Sequence, residues 1–186
     1  MKEIEKMKAG RLYSFADPEV AESGRHAGRL CARLQTMTAH EPDYRRVIEE
    51  LIPGIPPDST VVPPFHCDHG HGIHMGHHCF INYDCVFLDG GGIRLGDHVL
   101  IGPGCHIYTP EHPKDYRLRR QPQETCHAVT IGDDTWLGGS VVVCPGVTIG
   151  RRCIIAAGSV VVSDIPDDCM AAGNPAVVKK HLNPDL

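Results

Sequence analysis

Apolar residues in the second half of the chain recur at every sixth position. The series consists of Ile131, Leu137, Val143, Ile149, Ile155 and Val161. An α-helix repeats about every 3.6 residues and a strand repeats every second residue, so neither element produces this spacing. A six-residue period is typical of a β-helix, in which each short strand points its aliphatic residue inward and successive coils share one core.

A second, mostly smaller side chain follows each leading residue by four positions. In this half of the chain these are Thr135, Val141, Val147, Cys153 and Ser159, with Ile165 ending the series. The same arrangement occurs upstream, with leading residues Met75, Ile81, Phe87, Leu95, Ile101 and Ile107 and partners Cys79, Cys85, Val99 and Cys105. We expect both sets to fill one core. A β-sandwich would instead alternate with a period of two and turn about every 8 to 12 residues.

Glycines mark the expected corners of this winding. Gly132, Gly138 and Gly150 each follow a leading aliphatic residue directly. We expect them to supply the positive φ that a corner requires. The run Gly90-Gly91-Gly92 coincides with a slip of two residues in the upstream series, which indicates an insertion there.

The N-terminal part follows another pattern. Asp17-Pro18-Glu19 places a capping residue before a proline at a first helical position, and Glu41-Pro42-Asp43 resembles a second start that Gly54 can close. Prolines at positions 53, 56, 57, 63 and 64 then form a stiff connection. The sequence therefore predicts a helical region over residues 1–55 and a β-helix domain over residues 56–186.

The six-residue pattern lapses between Ile107 and Ile131, which predicts an excursion loop over about residues 108–128. Long loops in compact domains are usually functional or disordered. This one contains His112 and Glu124. An imidazole accepts a proton near neutral pH, and a carboxylate can orient it and stabilise its charged form. The loop is therefore the candidate active site.

Charge and composition narrow the classes of partner. The net charge of -5 and the pI near 6.2 argue against a general binding surface for nucleic acid or an anionic membrane. No apolar run approaches the roughly 20 residues of a membrane span, and the N-terminus lacks the apolar stretch of a signal peptide. With nine cysteines expected as reduced thiols, we predict a cytoplasmic protein with a small-molecule substrate.

Several motifs occur in one order along nearly the whole chain. They are Met7-Lys8-Ala9-Gly10-Arg11-Leu12-Tyr13 with Asp17-Pro18-Glu19-Val20, Pro63 to Gly70, Phe80 to Cys85 with Asp89, His112-Pro113, Ile131 to Gly139, and Ala172-Gly173-Asn174-Pro175-Ala176. Together they resemble the maltose, galactoside and nodulation-type O-acetyltransferases, which are hexapeptide-repeat enzymes. The period itself does not set the hand of the winding, but the resemblance implies a mainly-β fold built on a left-handed parallel β-helix.

The same resemblance implies transfer of an acetyl group from acetyl-CoA to a hydroxyl of a sugar, with a maltose, glucose or galactoside acceptor. His112 would be the general base and Glu124 would orient it. Asp68 and Asn82 match positions that contact the acceptor. No metal would be required.

The donor would be held by a second set of residues, again implied by the resemblance. Trp136 would pack against the pantetheine arm, and the backbone at Gly139 and Ala157 would bond its amides, with the Gly139 N–H also facing the tetrahedral intermediate. Lys179 and Lys180 would meet the CoA phosphates. The enzyme would be a homotrimer with its active sites between subunits.

The chain departs from the family pattern near its C-terminus. Val162-Ser163 stands where relatives often have Thr-Lys, and Val177 stands where a basic residue often follows Asn-Pro-Ala. Both changes predict weaker electrostatic binding of the CoA 3′-phosphate.

Two other functions remain open at this stage. The segment of residues 66–79 is rich in histidine and cysteine, which bind zinc, nickel or copper, although no standard ligand spacing occurs in it. A zinc hydratase of the β-helix carbonic-anhydrase type would use His106, His112 and the cluster from His74 to His78. A non-catalytic β-helix assembly module is the third candidate.

Overall fold

Short parallel strands make up most of the computed structural model, which describes residues 1–183. The helices are α1 (Glu3–Lys8), α2 (Pro18–Leu34), α3 (Tyr44–Leu51) and α4 (Tyr116–Arg119). The strands are β1 (Tyr13–Ser14), β2 (Thr60–Val61), β3 (Phe65–Cys67), β4 (Ile73–Met75), β5 (Phe80–Ile81), β6 (Cys85–Leu88), β7 (Ile93–Leu95), β8 (Leu100–Ile101), β9 (His106–Tyr108), β10 (Pro110–Glu111), β11 (Gln123–Cys126), β12 (Val129–Ile131), β13 (Trp136–Leu137), β14 (Val142–Val143), β15 (Thr148–Ile149), β16 (Ile154–Ile155), β17 (Val160–Val161), β18 (Cys169–Gly173) and β19 (Ala176–His181).

Successive strands rotate among three sheets, as in a prism. Sheet I has the order β19-β18-β16-β13-β8-β5-β2, sheet II β17-β14-β9-β6-β3, and sheet III β15-β12-β7-β4. Within each sheet, strands from successive coils pair in parallel, for example Trp136 opposite Leu100 and Ile154 in sheet I. In these three sheets, as far as residues 1–183 show, β19 alone turns back and pairs antiparallel with β18. The parallel β-helix expected from the six-residue period is confirmed.

The core consists of the two residue sets that define the repeat. Every leading residue from Ile81 to Val161 is at most 5% exposed, and every partner from Cys79 to Ser159 is at most 2% exposed. Met75 is the exception and is only partly buried. The prediction that Cys79, Cys85, Cys105 and Cys153 fill the core is therefore confirmed.

Three edges join the sheets, and we define each edge by its corner residues. The first edge contains residues 76–78, 96–98, 132–134, 150–152 and 166–168. The second contains residues 82–84, 102–104, 138–140 and 156–158. The third contains residues 68–72, 88–92, the excursion loop and residues 144–146 and 162–164.

The expectation that the corner glycines supply a positive φ is wrong. Positive φ occurs at the third corner residue, as at Asp134 and Arg152, and not at Gly132. A Cβ on Gly132 would instead lie 2.7 Å from the Arg151 nitrogen of the next coil. These glycines are therefore required by the close stacking of coils.

Helices α2 and α3 close one end of the β-helix. The Asp17 side chain accepts hydrogen bonds from the Glu19 and Val20 N–H groups, as its motif predicts. Helix α3 begins at Tyr44 without a side-chain cap at Asp43, so its start lies slightly beyond the motif at 41–43. The Tyr44 hydroxyl donates to the Val61 carbonyl at 2.6 Å and thereby ties α3 to the first coil.

The structure contains two elements that the sequence pattern did not predict. Strand β1 interrupts the helical N-terminal region, and it pairs antiparallel with β11 of the excursion loop. Strand β10 pairs with the other side of β11, so the loop is a folded hairpin with the short helix α4 between its strands. Within residues 1–183 no helix has the length and apolar character needed to cross a membrane. The last three residues of the expected second domain, 184–186, lie outside the described part.

Candidate active site

A cavity of about 550 Å³ opens at the third edge, between the excursion loop and the N-terminal segment. Its wall combines aromatic and aliphatic side chains with a few polar groups. The lining residues are Tyr13, Phe15, Val20, Ala21, Gly24, Asp68, His69, Leu88, Tyr108, Pro110, His112, Glu124 and Pro145. An apolar cleft with few convergent polar groups is the usual form of a small-molecule site.

His112 and Glu124 face each other at the wall of this cavity. The Nδ1 atom of His112 lies 3.7 Å from Glu124 Oε2. The histidine side chain is 54% exposed, whereas that of Glu124 is 13% exposed. The Phe15 ring and the imidazole form a T-shaped pair, with ring centroids 6.3 Å apart and an interplanar angle of 77°. This arrangement leaves His112 Nε2 as the nitrogen not facing Glu124.

Asp68 lies in the same cavity. Burial, together with the charges of Asp89 and Glu124, raises the pKa of the Asp68 carboxyl to about 7. This carboxyl can therefore donate as well as accept a hydrogen bond near neutral pH. Next to it, His69 Nδ1 lies 3.0 Å from the Ser23 hydroxyl of α2, and burial lowers the pKa of His69.

The residues expected to bind the donor lie elsewhere on the chain. Trp136 is on the outer face of sheet I and is 50% exposed. Gly139 and Ala157 occupy equivalent corners of the second edge in successive coils. Neither of their N–H groups donates a hydrogen bond within residues 1–183.

The corresponding corners of the first edge differ. There the equivalent N–H groups of His77, Asp97 and Arg151 are bonded at 2.7, 2.9 and 2.8 Å by aspartate side chains of the following coil. Small residues on the second edge leave the same backbone donors open.

The structure thus brings together only part of the predicted site. His112, Glu124 and Asp68 share one cavity, whereas Asn82 lies at the second edge, where its Oδ1 accepts a bond from the Tyr83 N–H at 2.9 Å. Lys179 and Lys180 are exposed on β19. Val162 and Val177 are likewise exposed, at 52% and 48%.

Comparison with known proteins decides the family. Residues 6–54 match the maltose acetyltransferase hexapeptide capping motif, and residues 128–163 match the bacterial transferase hexapeptide (six repeats). Nodulation protein L of Rhizobium meliloti is 38% identical over 176 residues, which cover 94% of this chain and 96% of that protein. The chain belongs to the hexapeptide-repeat acetyltransferases.

Solved structures of acetyltransferases have the same fold. A maltose O-acetyltransferase from Clostridium difficile 630 superposes with a TM-score of 0.94 at 37% identity, covering 98% of both chains. A hexapeptide-repeat acetyltransferase from Vibrio cholerae O1 biovar eltor, in complex with acetyl-CoA, gives a TM-score of 0.88 at 40% identity and covers 98% of this chain and 100% of that one.

Sequence reasoning missed part of the cavity of this acetyltransferase. Tyr13, Tyr108 and His69 line it, and none of these three was named as a site residue. Tyr13 and His69 do fall inside the motifs that carry the family resemblance. The role of Tyr13 was not readable because the pairing of β1 with β11 is a long-range contact, and the contact of His69 with Ser23 of α2 is long-range as well.

The histidine-rich segment of residues 66–79 does not converge on one point. His69 and His71 both approach the Ser23 hydroxyl, whereas His77 Nδ1 lies 3.0 Å from Asp58 at the first edge. Within residues 1–183 no group of three or more His, Cys, Asp and Glu side chains is arranged to hold a metal ion.

Proposed function

We propose that this acetyltransferase moves the acetyl group of acetyl-CoA to a hydroxyl of a sugar, by direct attack with His112 as general base. The observation that carries the proposal is the His112–Glu124 pair at the wall of an open cavity, in a chain of this family. The likeness to the Clostridium maltose O-acetyltransferase supports the acceptor class, and the acetyl-CoA complex of the Vibrio enzyme supports the donor.

The proposed reaction needs one proton carrier. His112 Nε2 takes the proton of the attacking hydroxyl while the oxygen bonds to the thioester carbonyl carbon. The tetrahedral intermediate then collapses, the carbon–sulfur bond breaks, and the imidazolium returns the proton to the CoA sulfur. Glu124, on the Nδ1 side, stabilises the imidazolium and fixes its tautomer. This step uses no metal ion and forms no acyl-enzyme.

The open donors of the second edge are suited to the thioester arm. We assign the Gly139 and Ala157 N–H groups to the pantetheine amides and the developing oxyanion, because both donors have no partner among the described residues. Trp136 offers a flat apolar surface beside them. Lys179 and Lys180 would meet the CoA phosphates, with Val162, Ser163 and Val177 adding no charge there.

Two copies of the chain are needed to complete such a site. The base lies on the third edge and the donor groups lie on the second edge and on sheet I, so one copy would supply each half. An interface between two different surfaces closes only as a ring, and we propose a homotrimer. Exposed apolar residues support burial of sheet I: Phe80, Leu100 and Trp136 stack in register and are 39%, 48% and 50% exposed.

On the acceptor side, Asp68 and Asn82 would bind sugar hydroxyls, with Asn82 contributed by the neighbouring copy. We place the protein in the cytoplasm, and the free thiol form of all nine cysteines supports a reducing compartment.

The direct test is CoA thiol release from acetyl-CoA against a panel of mono- and disaccharides, with water and simple alcohols as controls. We expect thiol release that depends on a sugar, together with an O-acetylated sugar detected by mass spectrometry. Release that is equally fast without sugar, or no release with any carbohydrate, would contradict it. Sedimentation analysis should give three times the chain mass.

A further inference from the structure

Strand β1 places the N-terminal segment directly against the excursion loop. It forms a three-stranded sheet with β11 and β10, in the order β1-β11-β10. In this register Tyr13 lies opposite Glu124, and Ser14 lies opposite Gln123. The loop that carries the proposed dyad is therefore paired on one side with a segment about 110 residues earlier in the chain.

The Tyr13 side chain is 3% exposed, and its hydroxyl donates a hydrogen bond to Glu124 Oε1. The Cys126 Sγ atom lies 3.5 Å from the same hydroxyl. Burial, and then the bond to Glu124, raise the pKa of the Tyr13 phenol far above its ordinary value. The phenol therefore stays protonated and remains a donor at every working pH.

Glu124 uses its two oxygens for different partners. Oε1 accepts from Tyr13, and Oε2 lies 3.7 Å from His112 Nδ1. Within residues 1–183 the carboxylate has no other hydrogen-bond donor. With Oε1 anchored, rotation of the carboxylate would break the buried bond, so Oε2 stays on the side of the imidazole. Phe15 adds a second contact from the same segment, because its ring forms a T-shaped pair with the His112 ring.

We propose that Tyr13 is a positioning residue: its hydroxyl holds the Glu124 carboxylate in the orientation that aligns His112. This inference rests on the proposed function for its catalytic consequence. It gives the N-terminal segment a second task besides closing the β-helix, because the same segment fixes the geometry of the general base.

The test is a double-mutant cycle of Tyr13→Phe and Glu124→Gln in the wild-type background, with kcat and both KM values measured. The Phe variant keeps the ring and loses only the hydroxyl. We expect it to lower kcat about tenfold with the KM for acetyl-CoA unchanged, as for loss of one charge-assisted hydrogen bond. In the double variant kcat should equal that of Glu124→Gln alone, because Tyr13 acts only through Glu124.

Tyr44→Phe is the matched control. Tyr44 is also buried, at 6% exposure, and its hydroxyl donates to the Val61 carbonyl, away from the cavity. This variant should lose thermal stability and keep wild-type kcat. If Tyr13→Phe behaves like Tyr44→Phe, or if its effect on kcat adds fully to that of Glu124→Gln, the positioning role is wrong.

An NMR measurement separates this inference from the proposed function. The ring resonances of His112 should shift in Tyr13→Phe and in Glu124→Gln, and stay in place in Tyr44→Phe, whether or not the wild-type enzyme accepts a sugar. Unchanged His112 resonances in Tyr13→Phe would overturn the positioning role. Absence of sugar-dependent thiol release from the wild type would overturn the proposed function instead.

Discussion

The first and second edges of the β-helix have the same backbone turn and opposite chemistry. On the first edge, aspartate side chains of one coil bond the corner N–H groups of the preceding coil, as Asp133 does for Asp97. On the second edge, Gly139 and Ala157 leave the equivalent donors without a partner in residues 1–183. Aspartate side chains bond three corner donors of the first edge, whereas no side chain of the described residues bonds the donors of Gly139 and Ala157 on the second edge.

The third edge differs again, because it interrupts the turn with a hairpin and holds carboxyls in a cavity. Burial raises the pKa of Asp68 there, whereas the Arg151 N–H and guanidinium lower the pKa of Asp167 on the first edge. The edges therefore differ in how their polar groups are satisfied, and the proposed site uses the second and third edges.

The largest expected effect comes from replacing His112 on the third edge. His112→Ala should lower kcat by about 10² to 10⁴-fold, the usual scale for loss of a general base. The side chain is exposed, so the melting temperature should hardly change. Acetyl-CoA binding, measured by calorimetry, should persist. A variant with wild-type turnover would remove His112 from the mechanism.

Asp68→Asn tests the cost of a carboxyl in the cavity. Between about pH 4 and pH 7 the unfolded carboxyl has released its proton while the folded one keeps it, so the wild-type free energy of unfolding falls as pH rises. The Asn variant has no titrating carboxyl at this position. Its free energy of unfolding relative to that of the wild type should therefore rise by on the order of 3 kcal/mol between about pH 4 and pH 7. Denaturant unfolding at several pH values measures it.

Asp167→Asn is the paired control on the first edge. Because the pKa of Asp167 is lowered, this carboxylate stabilises the fold above its unfolded pKa, and that contribution disappears as pH falls below about 4. The two variants should therefore differ from the wild type with opposite signs. A stability difference independent of pH in both would contradict the contrast between the edges.

Ala157→Pro removes one open donor without changing the turn, since Pro103 occupies the equivalent corner of the second edge. We expect the KM for acetyl-CoA to rise about tenfold, the scale of one hydrogen bond, with the melting temperature preserved. Ala157→Ser keeps the N–H and serves as control. An unchanged KM in the proline variant would show that this donor does not bind the arm.

The smallest expected effect lies on the closed first edge. Asp133→Ala leaves the Asp97 N–H to solvent and should cost about 1 kcal/mol, or roughly 2 to 4 °C in melting temperature. Turnover should remain at the wild-type value. Asp133→Asn keeps an acceptor oxygen and should recover most of the loss. A fall in kcat without a fall in stability would reverse the assignment of this edge.

The fold was predictable because its signal is local and repeated. Each coil needs one aliphatic residue and one small residue at fixed spacing, so even the burial of Cys105 and Cys153 followed from their positions. The corner glycines were placed correctly and explained wrongly, since the stacking distance between Gly132 and Arg151 is a contact between coils. A linear pattern does not contain that distance.

The candidate site was predictable only in part. The lapse in the repeat located His112 and Glu124, and the structure puts them side by side. Tyr13 could not be assigned a role because its partner lies on a strand about 110 residues away. Nor did the sequence reveal that Trp136 lies apart from the cavity that contains His112.

The proposed function depends on this separation of Trp136 from His112 within one chain. Trimers that combine two different variant chains test it most directly. His112→Ala chains and Trp136→Ala/Ala157→Pro chains would be co-expressed with different tags and purified in tandem, so that every trimer contains both. If each site takes His112 from one copy and its donor groups from the next, one site per trimer is intact, and the activity at acetyl-CoA concentrations below the wild-type KM should return to about one third of wild type. Activity no greater than that of the two parent variants would contradict a shared site.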